Sequence, residues 1–199
     1  MYRLGLILET HLKDFEGAIF NYEECNRLST DRVSIYEVLK RIANIYFDYL
    51  QLSDKAIATY RRAMEFSPDS LELDFFQYRI ARSYFRTNNF AQARIEYQSL
   101  LERFPKSQYG PKARFEIGNS YFMEGNYDTA IEALKKVLRQ DGGSQTAEEG
   151  RYLMAQCLEQ KERLSEAKSL YEGLLTSYPH PEVIKIRLEA IQKQMKQKK

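Results

Sequence analysis

The chain has no tryptophan, two cysteines, two histidines and five prolines in 199 residues, and its 30 basic residues nearly balance 28 acidic ones. Each scarcity excludes something. Cys25 and Cys157 sit at apolar positions, which suits packed thiols. Two unpaired thiols fit a reducing compartment as well as a secreted protein. His11 falls in a turn sequence and His180 between Pro179 and Pro181, with no carboxylate or thiol at ligand spacing, so no metal site is expected. No apolar run reaches the roughly 18 residues that a bilayer span needs. The Leu4–Leu8 run is too short for a signal peptide and lacks a basic flank. Membrane insertion by this segment is therefore not expected. The net charge of +2 is more than supplied by Lys193, Lys196, Lys198 and Lys199, which leaves no general footprint for nucleic acid. Gly142-Gly143-Ser144 follows a helical pattern, and no Lys-Ser or Lys-Thr comes after it, so it is no phosphate loop. With no Ser/His/Asp or Cys/His set in reach of assembly, neither a cofactor nor an enzyme is expected.

What is present is periodicity. From Tyr109 to Leu138 two apolar-periodic halves flank Glu124-Gly125-Asn126. Phe115, Ile117, Gly118 and Tyr121 recur at helical spacing behind Pro111, which suits a first turn. Tyr127, Ala130, Ile131, Leu134, Val137 and Leu138 give a one-sided second helix. So short a turn folds the two helices antiparallel, with Gly118 and Ala130 as the small residues of the facing sides.

One such hairpin is too small to bury its own apolar faces, and copies of it run along the chain. Ala18, Ala56, Ala93, Ala130 and Ala167 recur at gaps of 38, 37, 37 and 37 residues. Four places later stand Tyr22, Tyr60, Tyr97, Leu134 and Tyr171, and twelve places later Thr30, Pro68, Pro105, Gly142 and Pro179. Proline or glycine there stops the helix. In the first helices the pairs Leu4-Gly5, Ile42-Ala43, Ile80-Ala81, Ile117-Gly118 and Met154-Ala155 repeat, each a large apolar residue before a small one. The first two repeats carry one extra residue near their internal turn.

This pattern resembles the tetratricopeptide (TPR) repeat over nearly the whole chain, with two departures: the usual tryptophan is absent, and the period is about three residues longer than the common one. The resemblance implies an all-α fold, a right-handed superhelical solenoid of about five hairpins closed by a C-terminal capping helix. The expected repeats span about 1–30, 31–68, 70–105, 108–142 and 145–179, with the cap at 182–196, in one domain without an internal boundary. Ser70 is the expected N-cap of the third repeat, and Ile184, Ile186, Leu188 and Ile191 the apolar side of the cap helix. The first hairpin lacks a polar cap and about one turn of its first helix, which points to a piece of a longer protein. The joins Phe104-Pro105-Lys106-Ser107-Gln108-Tyr109 and Ser177-Tyr178-Pro179 resemble those of bacterial envelope TPR proteins. The periplasmic coordinator of the Tol–Pal system and the TPR lipoprotein of the β-barrel assembly machine are of that type.

The resemblance also implies a non-catalytic scaffold that holds a protein or peptide partner on a concave face lined by the first helices. Placed on that face are Lys40, Arg41, Asn44, Phe47, Arg79, Arg82, Phe85, Arg86, Lys112, Asn119 and Phe122. Phe47, Phe85 and Phe122 form a ladder that either fills space between adjacent first helices or meets a ligand. Arg41, Arg79, Arg82 and Arg86 add their charges beside it, which favours an acidic segment. Arg79 and Arg82 are expected to be exposed. Some TPR domains clamp the C-terminal carboxylate of heat-shock chaperones. Lys40 and Asn44 match the opening pair of that clamp and Lys112 a later lysine, but Arg79 replaces its second asparagine, and Glu116 stands in place of its closing arginine. A structural role in an envelope assembly and a regulatory domain of a larger enzyme are the alternatives.

Overall fold

The computed structural model describes residues 1–68 and 72–197. Ser70 lies outside the described residues, as do Lys198 and Lys199. Among the described residues there is no strand, and eleven α-helices follow one another. They are α1 Tyr2–Ile7, α2 Phe15–Leu28, α3 Arg32–Asn44, α4 Ser53–Phe66, α5 Leu73–Arg86, α6 Phe90–Arg103, α7 Gly110–Met123, α8 Tyr127–Gln140, α9 Gln145–Gln160, α10 Leu164–Leu174 and α11 Pro181–Gln197. The residues form two compact units, Met1–Leu100 and Leu101–Lys199.

The helix starts follow from capping. Asp14 accepts a hydrogen bond from the Gly17 N–H at 2.9 Å, and Asp31 accepts one from the Ser34 N–H at 2.9 Å. Ser144 accepts from the Ala147 N–H at 3.1 Å. Each satisfies a backbone donor that the first turn leaves without a partner. Because Asp31 caps it, α3 opens at Arg32.

The extra residue of the first two repeats becomes a π-helical turn. Leu8–Leu12 continues α1 and Ile45–Tyr49 continues α3 in this wider form. One added residue is absorbed in the last turn while the apolar register on both sides is kept. Every hairpin then closes through one left-handed residue, at Lys13, Gln51, Asn88, Gly125 and Glu162, each five places before the marker alanine. Only the fourth repeat uses glycine there, where a positive φ carries no steric cost.

Packing within each unit follows the repeat. In the first unit Ala18, Ala56, Ala93, Tyr22, Tyr60 and Tyr97 are fully buried, and in the second Ala130, Ala167, Leu134 and Tyr171 are. Burial of each large side chain contributes roughly 1.5–3 kcal/mol. The small residue of each first helix makes room for the large one four places past the marker. A Cβ built on Gly118 would meet Leu134 Cδ2 at 2.7 Å, and one on Gly5 would meet the Tyr22 ring at 2.7 Å. Gly118 thus faces Leu134, one turn along from Ala130. Gly118→Ala is therefore expected to lower the stability of the second unit by about 1–3 kcal/mol. Urea unfolding reads this directly, and an unchanged midpoint would show that Leu134 swings aside at no cost.

Two positions depart from the pattern. Leu4 is 51 % exposed, whereas its counterparts Ile42 and Ile80 are buried. On α11, Ile184, Leu188 and Ile191 are buried against the second unit's core, but Ile186 is 64 % exposed. Positions 184, 188 and 191 share one helix face, and 186 lies nearly opposite them.

Candidate functional site

The π-helical turns carry the first link between hairpins. Glu9, on the first of them, accepts the Tyr22 hydroxyl at 2.6 Å and Arg41 Nη1 at 3.1 Å. Arg41 Nε also donates to the Tyr2 hydroxyl at 3.0 Å. Asp48, on the second, accepts Arg79 Nη1 at 2.6 Å. Arg41 and Arg79 occupy the same repeat position, so each reaches back from its own first helix to a carboxylate on the preceding π-turn. The extra residue was visible in the sequence. That a carboxylate on that turn would meet the next arginine was not, because a period count carries no information on which side chains pair between hairpins.

Around the second π-turn the first unit gathers an arginine–aromatic cluster. Phe47 is 2 % exposed. The Arg79 guanidinium lies 4.4 Å from its ring centroid and 4.9 Å from that of Phe75, and Arg86 lies 3.8 Å from the Phe47 ring. Arg86 Nη1 donates to the Phe47 carbonyl at 2.6 Å, taking an acceptor at a helix end that a further turn would otherwise have used. Phe47 is thus a platform beneath two cations, the space-filling alternative of the two, and offers no open ring. Arg82 sits between them on α5, half-buried. Arg79 is also half-buried rather than exposed, with its side chain at 22 %. Burial and the neighbouring Arg82 charge lower the basicity of Arg86, the Asp48 carboxylate opposes this, and Arg79 adds to it. Phe85 is half-buried against the Phe90 ring, with centroids 5.1 Å apart.

The positions that match a carboxylate clamp are engaged in internal contacts. Lys40 pairs with Glu72 at 2.5 Å and lies over the Tyr36 ring. Burial pushes the Glu72 carboxyl up, but the Lys40 and Tyr36 hydrogen bonds outweigh it and hold the group below the usual carboxylate range. Asn44 accepts the buried Tyr60 hydroxyl at 2.8 Å.

Lys112, Asn119 and Phe122 belong to the second unit. Lys112 pairs with Glu149 at 2.8 Å and covers the Phe115 ring at 4.7 Å. Asn119 donates to the buried Glu116 at 3.0 Å, and Phe122 packs on Tyr127. The Glu9–Tyr22 motif recurs here, where Glu159 accepts the Tyr171 hydroxyl at 2.9 Å with Arg187 at 3.8 Å.

Among the described residues, no group of three or more His, Cys, Asp or Glu is placed to hold a metal ion, and no helix is long and apolar enough to cross a membrane. Cys157 is buried, and burial pushes its thiol up to about 12, so it stays an unreactive packed thiol at neutral pH. Cys25 is half-buried. It lines an apolar groove of about 570 Å³ with Met1, Tyr2, Leu28, Val33 and Val38.

Comparison with known proteins agrees with this architecture. Residues 36–70, 78–145 and 121–188 match family models described as tetratricopeptide repeat. No curated protein matches the chain. Among solved structures, MamA superposes with a TM-score of 0.67 at 20 % identity, over 87 % of each chain. The C-terminal part of a TPR repeat-containing protein from Cytophaga hutchinsonii gives 0.74 at 15 % identity, over 96 % of this chain and 70 % of that one. YrrB, described as a TPR protein with an unusual peptide-binding site, gives 0.64 at 16 % identity, over 92 % and 87 %.

Proposed function

The chain is built of tetratricopeptide repeats, and on that premise we propose that it is a non-catalytic scaffold whose first-helix face holds an acidic segment of a protein partner. The observation that carries this reading is the cluster on α5. Arg86 rests on an aromatic ring and a neutral carbonyl, while Arg79 and Arg82 stand on the same helix face. Cations gathered there raise the local concentration of an anionic segment and favour it over a neutral one. That YrrB is described as peptide-binding supports the same direction. The internal engagement of Lys40 and Asn44 weighs against a chaperone-type carboxylate clamp. A role in a bacterial envelope assembly is the second reading, and it rests on the Phe104–Tyr109 and Ser177–Pro179 joins.

Fluorescence anisotropy with labelled glutamate-rich peptides tests the leading reading. The double variant Arg82→Glu/Arg86→Glu is expected to weaken binding by about tenfold or more at low salt, and the wild-type affinity to fall as salt screens the charges. Equal affinity of the variant and the wild type would refute it. Arg79 is left intact for a reason. Arg79→Glu would set a second carboxylate against Asp48 and remove the cover of Phe47, so it is expected to lower the melting temperature of the first unit as well as binding.

A further inference from the structure

The proposed binding of an acidic segment leaves open which donor holds its carboxylates, and the following inference rests on that reading. Arg41, Arg79 and Arg86 each lie on an aromatic ring of the first unit. Arg41 and Arg79 also meet a carboxylate of their own chain, Glu9 at 3.1 Å and Asp48 at 2.6 Å. Arg86 bonds no carboxylate among the described residues. It is the last residue of α5 and is exposed. Its Nη1 donates to the Phe47 carbonyl at 2.6 Å, and its guanidinium carbon lies 3.8 Å from the Phe47 ring centroid. That separation is van der Waals contact between two flat groups, so the guanidinium lies against the ring face and aims its N–H groups sideways.

With Nη1 taken, the edge that remains is Nε–Nη2. Elsewhere the same chain spends that edge on carboxylates. Arg27 donates through Nε and Nη2 to Glu24 at 3.2 and 2.7 Å, and Arg114 to Asp141 at 2.8 and 2.6 Å. Arg163 does the same to Glu166 at 2.7 and 2.6 Å. Each is a two-bond fork that the two oxygens of a planar carboxylate fill. On Arg86 no acceptor among the described residues fills it. Asp48 acts on Arg86 through space and bonds Arg79 instead. The fork is also ordered in advance, because Phe47 is buried and holds the guanidinium by both its ring and its carbonyl. Rotamer freedom already lost in folding is not lost again on binding.

We propose that the Nε–Nη2 edge of Arg86, backed by Phe47, takes a side-chain carboxylate of the partner segment in a two-bond fork. What the π-helical turns supply to Arg41 and Arg79 from within the chain, the partner supplies to Arg86. Arg86 is then the residue that tells glutamate from glutamine. A carboxamide has one acceptor oxygen and would set its own N–H donors against those of the fork.

Two measurements on the full chain test this. In anisotropy with the glutamate-rich peptides, Arg86→Lys keeps the charge and removes the fork, and is expected to weaken binding about tenfold or more. Side-chain NMR of the wild type reads the contact itself. The Arg86 Nε–H signal, assigned through its bonded carbons, should shift on saturation with the glutamate-rich peptide and stay in place with a glutamine-rich counterpart. Should Arg86→Lys also melt lower, the wild-type signal decides, since it needs no variant. An Arg86 Nε–H signal unmoved by a bound glutamate-rich peptide, or moved equally by the glutamine-rich one, overturns the fork and leaves the acidic-segment reading standing. Wild-type affinity in a stably folded Arg86→Lys overturns it too. If the glutamate-rich peptides do not bind at all, both readings fall.

Discussion

Ala130→Asp is expected to abolish cooperative unfolding of the second unit. Ala130 has no exposed surface and packs in the cluster formed by Ile131, Leu134, Ala155 and Leu158. A carboxylate forced into that contact has no cation to meet it, and an uncompensated buried charge costs about 3–5 kcal/mol. Whole domains are stable by only about 5–15 kcal/mol, so the loss is a large share of the total. Thr129, the preceding residue of the same helix, is exposed, and Thr129→Asp supplies the control. It should change the urea midpoint little, since a surface substitution near a helix start leaves packing intact. Near-equal midpoints for the two variants would refute the packing scheme.

Tyr60→Ala is the second large effect, and it joins packing to the candidate site. Tyr60 is fully buried, and its ring lies 6.3 Å from Phe47, 6.4 Å from Phe75 and 5.5 Å from Phe76. Truncating a buried aromatic side chain costs about 3–5 kcal/mol, in lost transfer energy and a residual cavity. Phe47 and Phe75 are the rings beneath Arg79, so the cavity opens directly under the arginine platform. The expected result is a strongly lowered melting temperature of the first unit together with weaker binding of acidic peptides. Tyr60→Phe keeps the ring and deletes only the hydroxyl that Asn44 accepts, a loss of about 1 kcal/mol. It should melt close to wild type and bind normally. A Tyr60→Ala protein as stable as Tyr60→Phe would show that the ring does not hold the cluster together.

Much of the fold was legible in the sequence because the repeat is enforced at positions where volume is critical. An alanine closely packed every 37 or 38 residues, followed four places on by tyrosine or leucine, leaves little freedom in how two helices meet. Ile186 groups with Ile184, Leu188 and Ile191 because it is apolar, although the helical period sets it nearly opposite them and so on the outer side. Leu4 escaped the repeat reading because periodicity marks a face as apolar without saying whether a neighbouring hairpin covers it.

The candidate site was legible in its composition and not in its wiring. The arginines of α5 stood out as charges on one face, but their partners lie elsewhere in the chain. Asp48 lies on a π-helical turn whose presence the sequence signalled only as one residue too many. Phe47, expected as a rung of an exposed or packed ladder, is buried beneath Arg79 and Arg86, whereas Phe85 and Phe122 are half-buried against Phe90 and Tyr127. Equivalent repeat positions diverge here: Phe47 lies on the π-helical turn of the second hairpin, whereas Phe85 and Phe122 lie on regular α-helix. Lys40 and Asn44 kept the residue types of a clamp, yet Glu72 and Tyr60 engage them, a competition that spacing along the chain does not encode.

Backbone amide shifts of the isotope-labelled chain, followed by NMR during titration with the glutamate-rich peptides, test most directly that the first-helix face is the binding surface. The account predicts perturbations concentrated on α3, α5 and the π-helical turns, around Arg41, Phe47, Arg82 and Arg86. Shifts confined to the second helices α2, α4 and α6, with α5 silent, would contradict it.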